Sequence, residues 1–164
     1  EIAGGGELLD QGMHLIDLSM MFAGKFGEAI GYCKTMFWDM EVEDNGFALL
    51  KNKKGQIASI HSSWTEWKNL FSFEIFCKHG KLEINGLGGS YGVETLTYYK
   101  MKPEFGVPDK YVHTWPAMDV SWELEFRNLT DAIEGKSEIF GSLQDAYETM
   151  KLIFDIYKWN TKHG

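Results

Sequence analysis

Apolar positions along the chain change their period twice, and the changes mark out helix, strands and helix. Leucine, isoleucine and methionine recur at three- and four-residue steps through residues 7–23, after Gly4-Gly5-Gly6 and before Gly24. That pattern predicts a helix entered through a glycine run and stopped at a glycine. Through residues 28–39 the residues alternate, and β-formers cluster at Tyr32, Thr35 and Phe37, which predicts a strand. Segments 47–51 and 56–63 read as a hairpin across Asn52-Lys53-Lys54-Gly55. Segments 71–77 and 81–85 read as a second hairpin, with Gly80 suited to a positive φ in the turn. After a glycine-rich stretch at 86–92, residues 95–101 form another strand candidate, followed by an irregular aromatic section holding Pro103, Pro108 and Pro116. Two helices close the chain. Trp122, Phe126, Leu129 and Ile133 recur at helical spacing before Gly135, and Ser142 with Asp145 three residues on is a capping-box start for a helix reaching about Trp159.

Strands gathered between terminal helices predict an α+β fold, an open, mainly antiparallel sheet with helices covering one face. An alternating βα order, as in a parallel nucleotide-binding sheet, is absent from this pattern. The 164 residues suit one domain, and no repeat, low-complexity tract or internal linker divides them, so a single domain over 1–164 is expected. Hydrophobic content of 44% and charged content of 24% exclude a disordered or fibrous chain. Sixteen basic against 24 acidic residues leave a net charge of -8, which argues against a nucleic-acid partner. The apolar runs are too short for a membrane span, no signal peptide opens the chain, and a cytoplasmic location is expected. Cys33 and Cys77 make neither a metal spacing nor a disulfide framework, and read as small hydrophobes.

Chemistry concentrates in Gly4-Gly5-Gly6-Glu7-Leu8-Leu9-Asp10-Gln11-Gly12-Met13-His14-Leu15-Ile16-Asp17. On a helix, Asp10, His14 and Asp17 fall within an arc of roughly 60°. Leu9, Met13, Ile16 and Met20 flank them on one side, and Leu8, Leu15 and Leu18 on the other. A polar stripe on such a helix should face a cleft or a polar partner. Asp10 lies where the helix dipole favours a carboxylate, and an imidazole four residues on is a natural proton acceptor near neutral pH. Spacing alone leaves three readings open: a catalytic pair, a satisfied structural histidine, or ligands of a metal that lacks a fourth donor at suggestive spacing.

The string Gly-Gly-Gly-x-Leu-x-Asp-x-Gly-x-His-x-x-Asp resembles the motif opening the C-terminal domain of the Gfo/Idh/MocA family of NAD(P)-dependent oxidoreductases. Two further stretches agree. Glu41-Val42-Glu43-Asp44-Asn45-Gly46-Phe47-Ala48-Leu49-Leu50, with Gly55-Gln56-Ile57-Ala58 after a basic turn, resembles the family's acidic approach to a hairpin. Ser121-Trp122-Glu123-Leu124-Glu125 through Ile133-Glu134-Gly135-Lys136 and Asp145-Ala146 resembles its closing helices. The resemblance implies a sheet whose helix-covered side meets a Rossmann domain and whose open side serves oligomerisation. It implies a catalytic role for His14, a substrate-contacting and catalytic role for Asp10, and an orienting or structural one for Asp17. By the same analogy Trp64 and Trp67, in the loop after His61-Ser62-Ser63, lie near the substrate, where aromatic rings suit the apolar faces of sugars.

The family places its cofactor site and a catalytic lysine, in a Glu-Lys-Pro motif, on an N-terminal Rossmann domain, and this chain contains neither that motif nor a dinucleotide fingerprint. Gly86-Leu87-Gly88-Gly89-Ser90-Tyr91-Gly92 has the wrong third spacing and sits between strands, so it reads as a turn. The expectation is a substrate-binding half whose parent uses NAD or NADP on a hydroxyl of a sugar, cyclic polyol or nucleotide sugar. The fragment itself is expected to bind no cofactor and no metal, to be inactive without its Rossmann partner, and to form a homo-oligomer, most simply a dimer, through the open sheet face. The rival reading is a stand-alone dimerisation or binding module without redox activity. A third is the family's minority chemistry, glycoside cleavage through a transient redox step.

Overall fold

The computed structural model describes residues 4–88, 90–104, 106–116 and 118–164. Element order is α1 (Met13–Ala23), β1 (Phe26–Lys34), β2 (Asn45–Asn52), β3 (Ile57–Ser63), β4 (Ser72–Cys77), β5 (Gly80–Asn85), β6 (Glu94–Lys100), β7 (Asp109–Trp115), α2 (Ser121–Ile133) and α3 (Leu143–His163). A π-helical turn, Leu8–Gly12, runs directly into α1. The fold is α+β with antiparallel strands throughout, shared between two sheets of order β1-β2-β3 and β4-β5-β6-β7. The chain divides into two compact units, residues 1–65 with 139–164, and residues 66–138.

In the first unit, alternate residues of the three strands face the helices. The core is Leu8, Ile16, Phe26, Cys33, Ala48, Leu50, Ile60, Leu152, Ile153 and Ile156, all under a tenth exposed. Two glycines let helices approach the sheet. A Cβ on Gly31 would strike the Phe47 carbonyl and come within 2.9 Å of Ile156 of α3, and one on Gly46 would come within 2.9 Å of Leu8. Burial pushes the Cys33 thiol up to about 12, with the Glu43 charge adding to it, so this cysteine is an inert core residue.

Among the described residues of this unit, no helix packs on the opposite face of the sheet. Cross-strand pairing aligns Tyr32, Phe47 and His61 in one row and Ile30, Leu49 and Ser59 in the next. Ile30, Tyr32, Phe47 and Leu49 are each more than a third exposed, and Ile57 is 68% exposed. His61 stacks on Phe47 with ring centroids 4.4 Å apart.

In the second unit, β4 to β7 form a meander. One face aligns Phe73, Ile84, Leu96 and His113, then Ile75, Leu82, Tyr98 and Tyr111. The other carries Glu74, Glu83 and Lys81, with Lys81 paired to Glu74 and 3.5 Å from Glu83. The apolar stripe of α2 is exposed from Trp122 to Ile133.

Four local expectations need correction, the first being Gly80, which takes no positive φ but opens β5, where a Cβ would strike the Tyr99 carbonyl. Residues 35–39 are not strand, because the buried Asp44 carboxylate captures the amides of Met36, Phe37 and Trp38 at 2.8–2.9 Å and turns the chain. The proline-bounded section contains a strand, β7, every residue of which is exposed and which is held by pairing to β6. The first helix opens as a π turn rather than an α turn. The Ser142–Asp145 capping box forms in both directions at the start of α3, and Gly135 takes φ 73° after α2.

Candidate functional site

The first helix is fastened to the sheet by Glu43. Its carbonyl accepts the Glu7 amide at 2.9 Å, and its Oε1 accepts the Leu8 amide at 3.3 Å and the Tyr157 hydroxyl at 2.6 Å. Gly6 has to be glycine here, since a Cβ would run into the Glu43 carbonyl and lie 2.6 Å from its carboxylate. Asp44 beside it is fully buried. Burial pushes its carboxyl up, but hydrogen bonds from Trp38, Met36, Phe37 and Asn45 outweigh that and hold it well below the usual carboxylate range. The acidic run of residues 41–44 therefore anchors both the helix start and the loop after β1.

With Leu8, Gly12, Ile16 and Ser19 buried against the sheet, the opposite face of the helix presents Asp10, His14 and Asp17 outward, all three exposed. Four α-helical steps overshoot a full turn by about 40°. A π turn advances less per residue, so the step from Asp10 to His14 comes closer to one full turn, and such turns recur at functional sites. His14 has no hydrogen bond or ion pair among the described residues, which removes the reading of a satisfied core histidine. Asp10 accepts only a 3.3 Å bond from its neighbour Gln11. Both side chains are open to a bound molecule.

Trp64, just past β3, is fixed by its amide to the Asp44 carbonyl at 2.9 Å, and its own carbonyl accepts the Trp38 indole N–H at 3.2 Å. Trp38, Asp39, Met40 and Trp64 line a shallow hollow of about 440 Å³. On the same helix as Asp10, Glu7 is buried, and burial with the Asp10 charge adding to it pushes its carboxyl up to about 7. Trp67 belongs to the second unit, is 69% exposed, and takes φ 59°, a left-handed conformation costly for an aromatic residue.

Sequence reasoning missed Trp38 and Glu7. The first was hidden inside a supposed strand, and the second occupies the variable position of the glycine motif. Among the described residues no group of three His, Cys, Asp or Glu side chains is arranged to hold a metal ion. No helix is long and apolar enough to cross a membrane among the described residues. The glycine-rich 86–92 segment, of which Gly89 lies outside the described residues, joins β5 to β6 and begins no helix. The amides opening the first helix are taken by Glu43, and the start of α3 is closed by Ser142 and Asp145. These residues give a dinucleotide pyrophosphate no cradle of the strand–turn–helix kind.

The architecture is shared with solved oxidoreductase structures. A candidate NADPH-dependent oxidoreductase from Desulfitobacterium hafniense matches with TM-score 0.80 and 15% identity, covering 95% of this chain and 46% of that one. The WlbA dehydrogenase from Bordetella pertussis, solved with NADH and UDP-GlcNAcA, matches with TM-score 0.71 and 20% identity over 98% and 44%. UDP-N-acetylglucosamine 3-dehydrogenase GnnA from Acidithiobacillus ferrooxidans matches with TM-score 0.74 and 13% identity over 93% and 48%. The chain thus spans about half the length of the structures it matches. No curated protein sequence matches it. The GFO/IDH/MocA C-terminal domain family matches residues 1–83, about half the chain, and the chain belongs to that family.

Proposed function

We propose that this chain is the substrate-binding and oligomerisation domain of an NAD(P)-dependent oxidoreductase acting on a hydroxyl of a sugar, cyclic polyol or nucleotide sugar. The observation that carries the reading is the outward, exposed placement of Asp10 and His14 on a helix whose other face is locked into the core. His14 takes the proton of the reacting hydroxyl, and Asp10 holds and orients that hydroxyl by a charge-assisted hydrogen bond. Trp64 offers a ring face to the sugar. The Rossmann domain of the parent supplies the nicotinamide, which accepts hydride from the same carbon. The 164-residue chain alone is inactive and binds neither NAD nor NADP, which calorimetric titration checks; micromolar binding of either would reverse the assignment.

The deciding experiment uses the chain joined to its Rossmann domain. His14→Ala should lower kcat by about 10²–10⁴-fold with cofactor affinity unchanged. Asp10→Asn should weaken substrate affinity as well as turnover. A folded His14→Ala enzyme with near wild-type kcat would end the base assignment.

A second reading, a stand-alone dimerisation module, is favoured by the uncovered apolar face of β1–β3. The same face serves as the dimer surface in the first reading, because an exposed apolar sheet face of this extent is a recognised interaction surface. Upstream coding sequence for a Rossmann domain separates the two readings.

A further inference from the structure

The hollow lined by Trp38, Asp39, Met40 and Trp64 hangs on one buried residue, Asp44. The Asp44 carboxylate takes the amides of Met36, Phe37 and Trp38, and its carbonyl takes the amide of Trp64. The Trp38 indole N–H closes the frame on the Trp64 carbonyl at 3.2 Å. Phe37 meets Trp38 edge-on, with ring centroids 5.0 Å apart. Both walls are therefore set before anything binds, which lowers the ordering cost of recognition. Solvent still reaches them, since Trp38 and Trp64 are each more than a third exposed.

The chemistry of the lining selects its guest. With its N–H spent on the Trp64 carbonyl, Trp38 has π surface to offer, and Met40 adds a polarisable thioether. The charged group of the lining is the Asp39 carboxylate, exposed and without a hydrogen bond or ion pair among the described residues. Residues 35–50 hold four acids, Asp39, Glu41, Glu43 and Asp44, and no base. Indole faces and a carboxylate both present negative potential, so they attract the same kind of guest and repel an anion. We propose that this hollow binds a small organic ammonium group, its alkyl substituents against the two indoles and its charge beside Asp39. The proposal rests on the reading of Trp64 as a ligand contact and sharpens it, because the ligand that reaches Trp64 then carries a positively charged nitrogen.

The test follows the indole N–H resonances of the 15N-labelled chain during titration with choline. The Trp38 and Trp64 signals, assigned by their disappearance in Trp38→Phe and Trp64→Phe, should shift together and saturate. The neutral isostere 3,3-dimethyl-1-butanol has the same shape without the charge, and should leave both signals in place. Asp39→Asn, at an exposed position that holds no other group, should weaken choline binding by about 2–5-fold. Trp38→Phe, read at Trp64, should weaken it by a similar factor of about 2–5 through the poorer π face. Unmoved signals with choline overturn the proposal, as do equal shifts with the isostere or unchanged affinity in Asp39→Asn. Methyl glucoside, titrated in parallel, measures the contact of Trp64 with a neutral sugar. A shift with the glucoside and none with choline ends the ammonium proposal and leaves the sugar reading standing, and choline binding without a glucoside shift does the reverse.

Discussion

The two units of this chain use similar strands to opposite ends. In the first, three strands place small residues, Gly31, Gly46 and Ala48, beneath two helices, and ten apolar side chains become a continuous core. In the second, four strands form a complete ladder, yet among the described residues none of its apolar side chains is buried. Phe76, Val107, Met118, Trp122, Phe126 and Ile133 are all two thirds or more exposed. Backbone pairing alone therefore makes a sheet but does not bury it. Burial needs a helix brought close, and closeness needs glycine or alanine at the crossing points. The Asp10–His14 stripe sits on the unit that has the core, where a rigid helix can hold two side chains in fixed register.

The comparison is most easily broken in the core. Ile153→Ala should cost about 2–5 kcal/mol, because Ile153 is fully buried and the cavity cannot collapse onto a sheet already packed. Urea unfolding checks this, and a cost below about 1 kcal/mol would show that the first unit is as loosely packed as the second.

Glu7 tests the same unit through pH. Its pKa is raised from 4.5 to about 7 in the folded chain, so the folded state binds more protons than the unfolded one across that window. Its contribution to stability is fully present below pH 4.5 and is lost as pH rises through about 7. Glu7→Gln should flatten this fall, a gain on the order of 2 kcal/mol at pH 8 relative to pH 5. Thermal melts at the two pH values measure it, and parallel shifts in both proteins would refute it.

Leu49→Lys puts a charge in the middle of the open face of β1–β3, where Leu49 is 48% exposed. The expected outcome is a monomer by light scattering at tens of micromolar, with stability changed by less than about 1 kcal/mol. An unaltered oligomer would remove this face from the interface.

The smallest effect is expected in the second unit. Ile133→Ala on the 77% exposed stripe of α2 should alter stability by no more than about 0.5 kcal/mol. A loss comparable to that of Ile153→Ala would mean that α2 is buried in solution, and would erase the contrast between the units.

Local signals were enough for much of this architecture. Ser142 and Asp145, Gly24, Gly135 and the alternation in β2 and β3 act over a few residues, and each element they announce is present. Asp10, His14 and Asp17 were legible for the same reason, since helical spacing alone puts them on one face. Long-range partners decided the rest. Asp44 ends β1 by taking amides six to eight residues upstream, and β7 exists through its ladder with β6. Glu7 looks like any first-turn acid until the Glu43 carbonyl takes its amide and the fold buries its side chain. A residue's period records which way it points, but its solvation depends on what the rest of the chain brings to that side, and only the tertiary structure determines that.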